Sequence, residues 1–517
     1  MGFVYLLFVG CIAGVVSYPI THAIISYAPR WGFLDRPDGH HKRHKQAVAL
    51  GGGLAVFLAA TVTFGVEFLS SSALQESLSQ EAPFLGGLLL AGAWIVGLGL
   101  YDDRFGMKGQ YKLLGQLVAA SIVIASGLQI NAFSLFGYKV ELGSLAIPFT
   151  IFWLLGAINS LNLLDGIDGL ATTIGIILCS TITLMALMIG QTAIAIVGAV
   201  FVGSLIGFYR FNFPPAVIYL GDSGSMLIGL VVGSLAIGGS LKGTATVGLA
   251  APLAIWALPM FDSFTAIVRR KLTGRSIYAT DRGHLHHRLM TMFGNKTYVL
   301  AVVAVCCAVT CGGALLSMFM KNDLLALGAV ASVLCMLIAT QAFGHVEFMM
   351  LMSRAKRLVR WLLGRDAHSE TSFQLQGSRE WDVLWKSMVE FAERMQLVDV
   401  KLDINLASIQ EGYHASWHRA SKTERYERWN LVIPLMSDTH LIGKLTVTGC
   451  RNPGISACQA ITQFMEVLKP METEIISLAQ DIGPEVLGTA GTDTVEGGET
   501  DASGSTDSPA SQIVPGG

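Results

Sequence analysis

The sequence predicts an all-α polytopic membrane protein carrying a small cytoplasmic α+β domain. Composition, the spacing of apolar runs and a change of character near residue 345 predict it. Hydrophobic residues make up 52% of the 517 and charged residues only 14%, whereas soluble globular chains carry about 25% charged residues. The mean hydropathy is +0.54. Apolar runs fall near 3–25, 48–69, 84–101, 113–129, 147–161, 169–189, 192–209, 224–240, 247–268, 298–318 and 323–343. These eleven runs approach the roughly 20 residues that cross hydrocarbon, 147–161 being short.

The first run has no Lys or Arg before it and no charge until Arg30, so it exceeds a signal-peptide core and reads as an uncleaved span. Arg36, His40, His41, Lys42, Arg43, His44 and Lys45 follow it, while Glu67, Glu76 and Glu81 follow the second run with no basic residue. Positive loops face the cytoplasm, which places the N terminus outside. Alternation then puts the loops holding Arg104, Lys108 and Lys112, Arg210, and Arg269 to Arg288 inside, with Lys242 and Lys321 as minor outside exceptions. The cysteines within the apolar runs lack metal-ligand spacing and read as packing.

Beyond residue 345, Arg354, Lys356, Arg357, Arg360 and Arg365 interleave with apolar residues as in an amphipathic helix on the inner leaflet. Helices are expected at 379–396 and 455–479, with strands at 398–405, 412–419, 428–436 and 440–449. From Gly483 onward the chain lacks the apolar residues a core needs. The expected division is therefore 1–345 membrane domain, 346–378 basic linker, 379–482 soluble α+β domain and 483–517 disordered tail.

Carboxylates beside hydrocarbon mark function, and this topology gathers them on the cytoplasmic side. Asp102 and Asp103 repel each other unless a cation neutralises them; magnesium is the natural candidate, capping or pairing with Arg104 and Lys108 the plainer reading. Asp222, between Gly221 and Gly224, fits a ligand or a helix N-cap equally. Between Asn159 and Ala171, Asn162 and the pairs Asp165-Gly166 and Asp168-Gly169 interrupt an apolar stretch; the glycines let backbone approach a ligand, while Asn162 and Asp168 offer side-chain oxygens to a metal or to the imide edge of a base. His284, His286 and His287 lack the i, i+4 spacing of a zinc site. Beside Arg282 and Arg288 they suit a cationic clamp for phosphate, or a simple positive-inside loop.

Five segments in order, Asp35-Arg36-Pro37-Asp38 with His44 and Gly52-Gly53, Asp102-Asp103-Arg104 with Lys112, Asn159 to Ala171, Asn212-Phe213-Pro214-Pro215-Ala216 with Gly221 to Ser225, and His284 to His287, carry a resemblance. The chain resembles the polyprenyl-phosphate N-acetylhexosamine-1-phosphate transferase superfamily, bacterial undecaprenyl-phosphate enzymes in particular. The resemblance implies transfer of N-acetylhexosamine-1-phosphate from a UDP-sugar, UDP-GlcNAc foremost, to undecaprenyl phosphate, with release of UMP and initiation of a surface glycan. It implies Mg2+, with Mn2+ as substitute, on Asp222 and Asn162, and Asp102 and Asp103 as the catalytic pair near the lipid phosphate. It implies Gly166, Asp168, Asn212 and Tyr219 in the nucleotide pocket, and Lys112, Arg282, His284, His286 and His287 on the diphosphate and sugar. Two departures are Gln46 to Gly51, which lacks the usual prolines, and Val217 where lysine is common.

The expected location is the bacterial inner membrane with a cytoplasmic site. The expected partners are the UDP-sugar, the lipid and the membrane, with a homodimer and a cytoplasmic partner of the C-terminal domain also entertained, and no nucleic acid. A CDP-alcohol phosphotransferase is disfavoured because Thr172 stands where that pattern needs arginine. A membrane anion transporter or receptor is the reading from another class.

Overall fold

The computed structural model describes residues 2–35, 47–70, 79, 81–136, 138–241, 250–273, 283–363, 369–376, 381–395, 397–406, 411–419, 428–437, 440–450, 458–459, 461–462 and 464–466. Eleven apolar helices overlie the eleven runs: α1 (Phe3–Trp31), α2 (Gly52–Ser70), α3 (Ala82–Phe105), α4 (Gly109–Ala125), α5 (Ala146–Leu164), α6 (Leu170–Met188), α7 (Thr192–Asn212), α8 (Gly221–Leu241), α9 (Ala250–Thr273), α11 (Lys296–Met320) and α12 (Asp323–Ala339). Among the described residues, nine are long and apolar enough to cross a membrane, and α4 and α12 fall just short. The short amphipathic α10 (Leu285–Phe293) lies between α9 and α11.

Within lipid no hydrophobic gain draws helices together, so close backbone approach decides their packing. A Cβ added at Gly203 of α7 would lie 2.0 Å from the Gly10 carbonyl of α1, and one at Gly207 would lie 2.4 Å from that of Gly14. Two four-residue glycine spacings thus interlock α1 with α7, and Ser17 adds a hydroxyl bond to the Ser204 carbonyl at 2.7 Å. The hub is α8. Its span is 89% buried, against 22% for α1, and it packs on α2, α3, α5 and α6.

Two small antiparallel pairs flank the bundle. At one end β1 (Leu34–Asp35) pairs with β2 (Val48–Ala49), and β2 and the start of α2 are laced to the segment before α8 by Tyr219 N to Ala49 O at 2.9 Å and Gly52 N to Tyr219 O at 3.1 Å. At the opposite end, the hairpin β3 (Ala132–Leu135) and β4 (Tyr138–Glu141) is tied to the α11–α12 turn by Phe136 N to Asp323 Oδ2 at 2.9 Å.

After α12, α13 (His345–Leu362) leads to five antiparallel strands, β5 (Ser369–Gln376), β6 (Asp399–Leu406), β7 (Glu411–His418), β8 (Arg428–Ser437) and β9 (His440–Cys450), in the order β5-β7-β6-β9-β8. Helix α14 (Trp381–Arg394) lays Trp381, Leu384, Trp385, Met388 and Phe391 on one face of this sheet, at helical spacing. Their polar tips are satisfied, with Trp381 Nε1 donating to Glu411 at 3.2 Å and Trp385 Nε1 to Glu370 at 3.0 Å. The sheet begins earlier than the sequence suggested: β5 lies inside the stretch read as linker. Its Ser, Glu, Thr and Gln residues hide the strand, and Phe373 and Leu375 pack instead against Val346, Met350 and Leu272. Residues 467–482 of the expected domain and the tail from Gly483 lie outside the described residues.

Candidate active site

The helix ends bearing the acidic segments meet around the N terminus of α8. That end sits in a slot floored by glycine: a Cβ on Gly53 of α2 would lie 2.3 Å from Gly224 N, and one on Gly99 of α3 would lie 2.2 Å from Ser223 Cα. No side chain larger than hydrogen fits there. Asp103, one turn beyond Gly99, caps α8, its Oδ1 accepting from Asp222 N at 2.8 Å and its Oδ2 from Ser223 N at 3.3 Å and Ser223 Oγ at 3.0 Å.

Asp102 points elsewhere. Its Oδ2 lies 2.9 Å from Lys112 Nζ, which lies 2.7 Å from Asp222 Oδ2. Asp222 Oδ1 accepts from Asn162 Nδ2 at 2.5 Å, and Ser225 Oγ accepts from the same amide at 3.0 Å. Four helices thus supply one constellation of Asp102, Lys112, Asn162 and Asp222. Beneath it Asn159 donates to Gln116 Oε1 at 2.7 Å, which holds α5 against α4.

Asp165, at the C-cap of α5, donates its backbone N–H to the Asn162 carbonyl at 3.4 Å, while its carboxylate has no hydrogen bond or ion pair among the described residues. Burial, then the charges of Asp222, Asp103 and Asp168, hold its carboxyl well above the usual range. Asp168 Oδ2 lies 3.0 Å from Lys296 Nζ and accepts from Ala216 N at 3.3 Å. Tyr219 is half-buried nearby, its hydroxyl pushed up to about 12 by burial and by Asp168 and Asp35. Asn212 is fully engaged: Oδ1 accepts from Thr172 Oγ1 at 2.8 Å and Nδ2 donates to Ile218 O at 2.9 Å. It staples the 213–220 loop rather than facing outward.

The histidine segment is fixed from α9. Asp262, fully buried, accepts from Leu285 N at 2.6 Å through Oδ1 and meets His284 Nδ1 at 2.7 Å through Oδ2. His286 stacks with His284, ring centroids 6.0 Å apart and planes within 6°. It is 2% exposed, and neither ring nitrogen has a partner among the described residues. Burial, then the neighbouring His287 and His284, hold it well below the usual imidazole range, so it is neutral. A Cβ on Gly166 would lie 2.1 Å from His286 Nε2. Gly166 is therefore the space into which His286 packs, and that contact joins the histidines to the acidic basin. His287 is exposed; Arg282 lies outside the described residues.

With that geometry in place, likeness to known proteins is informative. Residues 85–240 match the model of glycosyl transferase family 4. The chain is 35% identical over 289 residues, 55% of its length and 78% of the relative's, to a probable undecaprenyl-phosphate N-acetylglucosaminyl 1-phosphate transferase of Bacillus subtilis. The chain belongs to glycosyl transferase family 4. A decaprenyl-phosphate N-acetylglucosaminephosphotransferase of Mycobacterium tuberculosis is 31% identical over 337 residues, 60% of this chain and 82% of its own. An undecaprenyl-phosphate alpha-N-acetylglucosaminyl 1-phosphate transferase of Thermotoga maritima is 29% identical over 294 residues, 56% and 84% respectively. As a family 4 member the protein is a membrane-embedded transferase, and the transporter reading lapses.

The family 4 site contains residues that sequence reading passed over. Asp262 was legible as a lone acid inside the apolar run 247–268. Asp165 lay within the interrupted segment with no role of its own, and Lys296 opens α11 beyond the last motif. Hard oxygens dominate, as a magnesium ion demands. Yet no three His, Cys, Asp or Glu side chains converge on one metal point among the described residues. The donor set fits an ion held by one or two protein oxygens and completed by water and substrate phosphate.

Proposed function

We propose that the protein transfers N-acetylhexosamine-1-phosphate from UDP-GlcNAc or a close UDP-sugar to undecaprenyl phosphate at the cytoplasmic face of a bacterial inner membrane, making the lipid-diphosphate sugar that starts a surface glycan. One observation carries this reading: Asp102, Lys112, Asn162 and Asp222 converge at helix ends against which the histidine segment packs through Gly166. A phosphorylated water-soluble donor and a lipid phosphate both reach such a place.

An oxygen of the lipid phosphate attacks the β-phosphorus of the donor, the bond to the α-phosphate oxygen breaks, and UMP leaves. Asp222, with Asn162 turned to present its carbonyl oxygen, would hold Mg2+. That ion supplies neutralisation of the diphosphate and of the charge spread over the reacting phosphoryl group. Lys112, between Asp102 and Asp222, moves its charge to phosphate when substrate enters. Asp102 lies where the lipid phosphate would approach; with a second pKa near 6 that phosphate is mostly a dianion at neutral pH, so positioning outweighs proton removal. Asp103 keeps α8 and Asp222 in place. His284 and His287 face the sugar diphosphate as donors, and Asp168 and Tyr219 frame the uracil.

The test is UMP release by purified protein given undecaprenyl phosphate and Mg2+ with UDP-GlcNAc, UDP-GalNAc or UDP-glucose in turn. Release with an N-acetylhexosamine donor, lost in EDTA and restored by Mg2+ or Mn2+, is expected. Absence of release with every donor would refute the proposal.

A further inference from the structure

The histidine segment is gripped at three successive residues, and one grip originates beyond the last membrane span. Asp262 holds His284 and Leu285. Arg269, seven residues and therefore about two helical turns along the same face of α9, donates from Nη2 to the Gly283 carbonyl at 2.9 Å. Arg269 in turn meets Glu347 of α13, Nε to Oε1 at 2.5 Å, each side chain only 3% exposed. A guanidinium is a rigid planar fork, so the carboxylate on Nε sets the direction in which Nη2 points. The fit is tight enough that a Cβ on Gly283 would lie 1.7 Å from Arg269 Nη1.

A second tie arrives from the sheet. Arg288 of α10 donates from Nη2 to the Leu375 carbonyl of β5 at 3.1 Å. Val346 and Met350 of α13 close over Leu272 of α9 together with Phe373 and Leu375 of β5. The appended region thus forms the outer wall of the histidine segment. A buried ion pair is a weak stabiliser compared with apolar residues of the same shape, so stability alone is a poor reason for charges here.

We infer that Glu347 is a positioning residue for the transfer reaction, acting through Arg269 to hold the backbone of the histidine segment against the acidic basin. The inference rests on the function proposed above. It makes the segment after the last span part of the catalytic scaffold rather than a passenger.

Full-length Glu347→Gln, the charge exchange Arg269→Glu with Glu347→Arg, and Glu347→Gln combined with His284→Gln test it, with activity normalised to the fraction of protein that binds UMP. Glu347→Gln is expected to lower kcat/KM for the UDP-sugar by about 10- to 100-fold, as small displacements of a reacting group do, and the charge exchange, which keeps opposite charges but sets a carboxylate where Arg269 donates to the Gly283 carbonyl, not to recover that loss. In the His284→Gln background, Glu347→Gln should add much less than it costs alone, because both act through the same segment. Undiminished normalised activity in Glu347→Gln, or an equal loss with and without His284, would overturn the inference. A native chain that releases no UMP would refute the function itself.

Discussion

Asp102 and Asp103 are neighbours in sequence with separate tasks, because a helix turns successive side chains by about 100°. One carboxylate joins Lys112 and Asp222 while the other caps α8. Asp103→Ala removes a cap, which costs about 0.5–2 kcal/mol, so thermal unfolding in detergent should begin at lower temperature and activity should fall with it. Asp102→Ala leaves Lys112 paired with Asp222; it should depress transfer with a much smaller change in unfolding temperature. Equal thermal losses in both variants would contradict this division. His286 supplies a pH signature. It is neutral and buried in the fold, but in the unfolded chain it binds a proton below about pH 6.5. The unfolded state therefore binds more protons as pH falls from about 6.5 toward the depressed native value, and stability drops across that window. His286→Gln should flatten that part of a plot of unfolding temperature against pH; an unchanged slope would show the decline lies elsewhere.

Helix α8 illustrates what the elements add. Its span has the lowest mean hydropathy of the nine, 1.4, because its neighbours are protein rather than lipid. Such a helix is visible in sequence as a span, but nothing in its pattern reveals that it is central. The glycines were visible too, yet their reason is geometric: Gly53 and Gly99 admit the backbone of α8, and Gly166 admits His286. Gly53→Ala should therefore cost more than the roughly 1–3 kcal/mol of ordinary overpacking, seen as loss of folded protein after extraction. Gly97, two residues from Gly99 on α3, has open space around its Cβ position; Gly97→Ala should be neutral or stabilising by up to about 1 kcal/mol. Comparable damage from both substitutions would sink the slot argument. Strand β5 escaped notice because half-polar edge residues lack the alternation that betrays a strand, and its apolar pair serves a contact outside its own sheet.

At the scale of the whole molecule, hydropathy made the number and positions of the spans legible, since crossing hydrocarbon imposes a length. Charge then placed the acidic segments on one face, and the structure assembles their helix ends around α8. The division of labour within that face was not legible, because it depends on which side chains point together across helices far apart in sequence. The proposed orientation has a direct check. In a cysteine-free background, Tyr138→Cys in the β3–β4 hairpin should react with a membrane-impermeant maleimide in whole cells, while Lys108→Cys between α3 and α4 should react only after lysis. The reverse pattern would invert the topology. The central claim is that the constellation around Asp222 is the transferring site, and the most direct measurement compares native protein with Asp222→Asn for UMP release from UDP-GlcNAc and undecaprenyl phosphate in Mg2+. The account predicts release by the native protein and none above background from folded Asp222→Asn; a folded Asp222→Asn protein as active as the native one would contradict it.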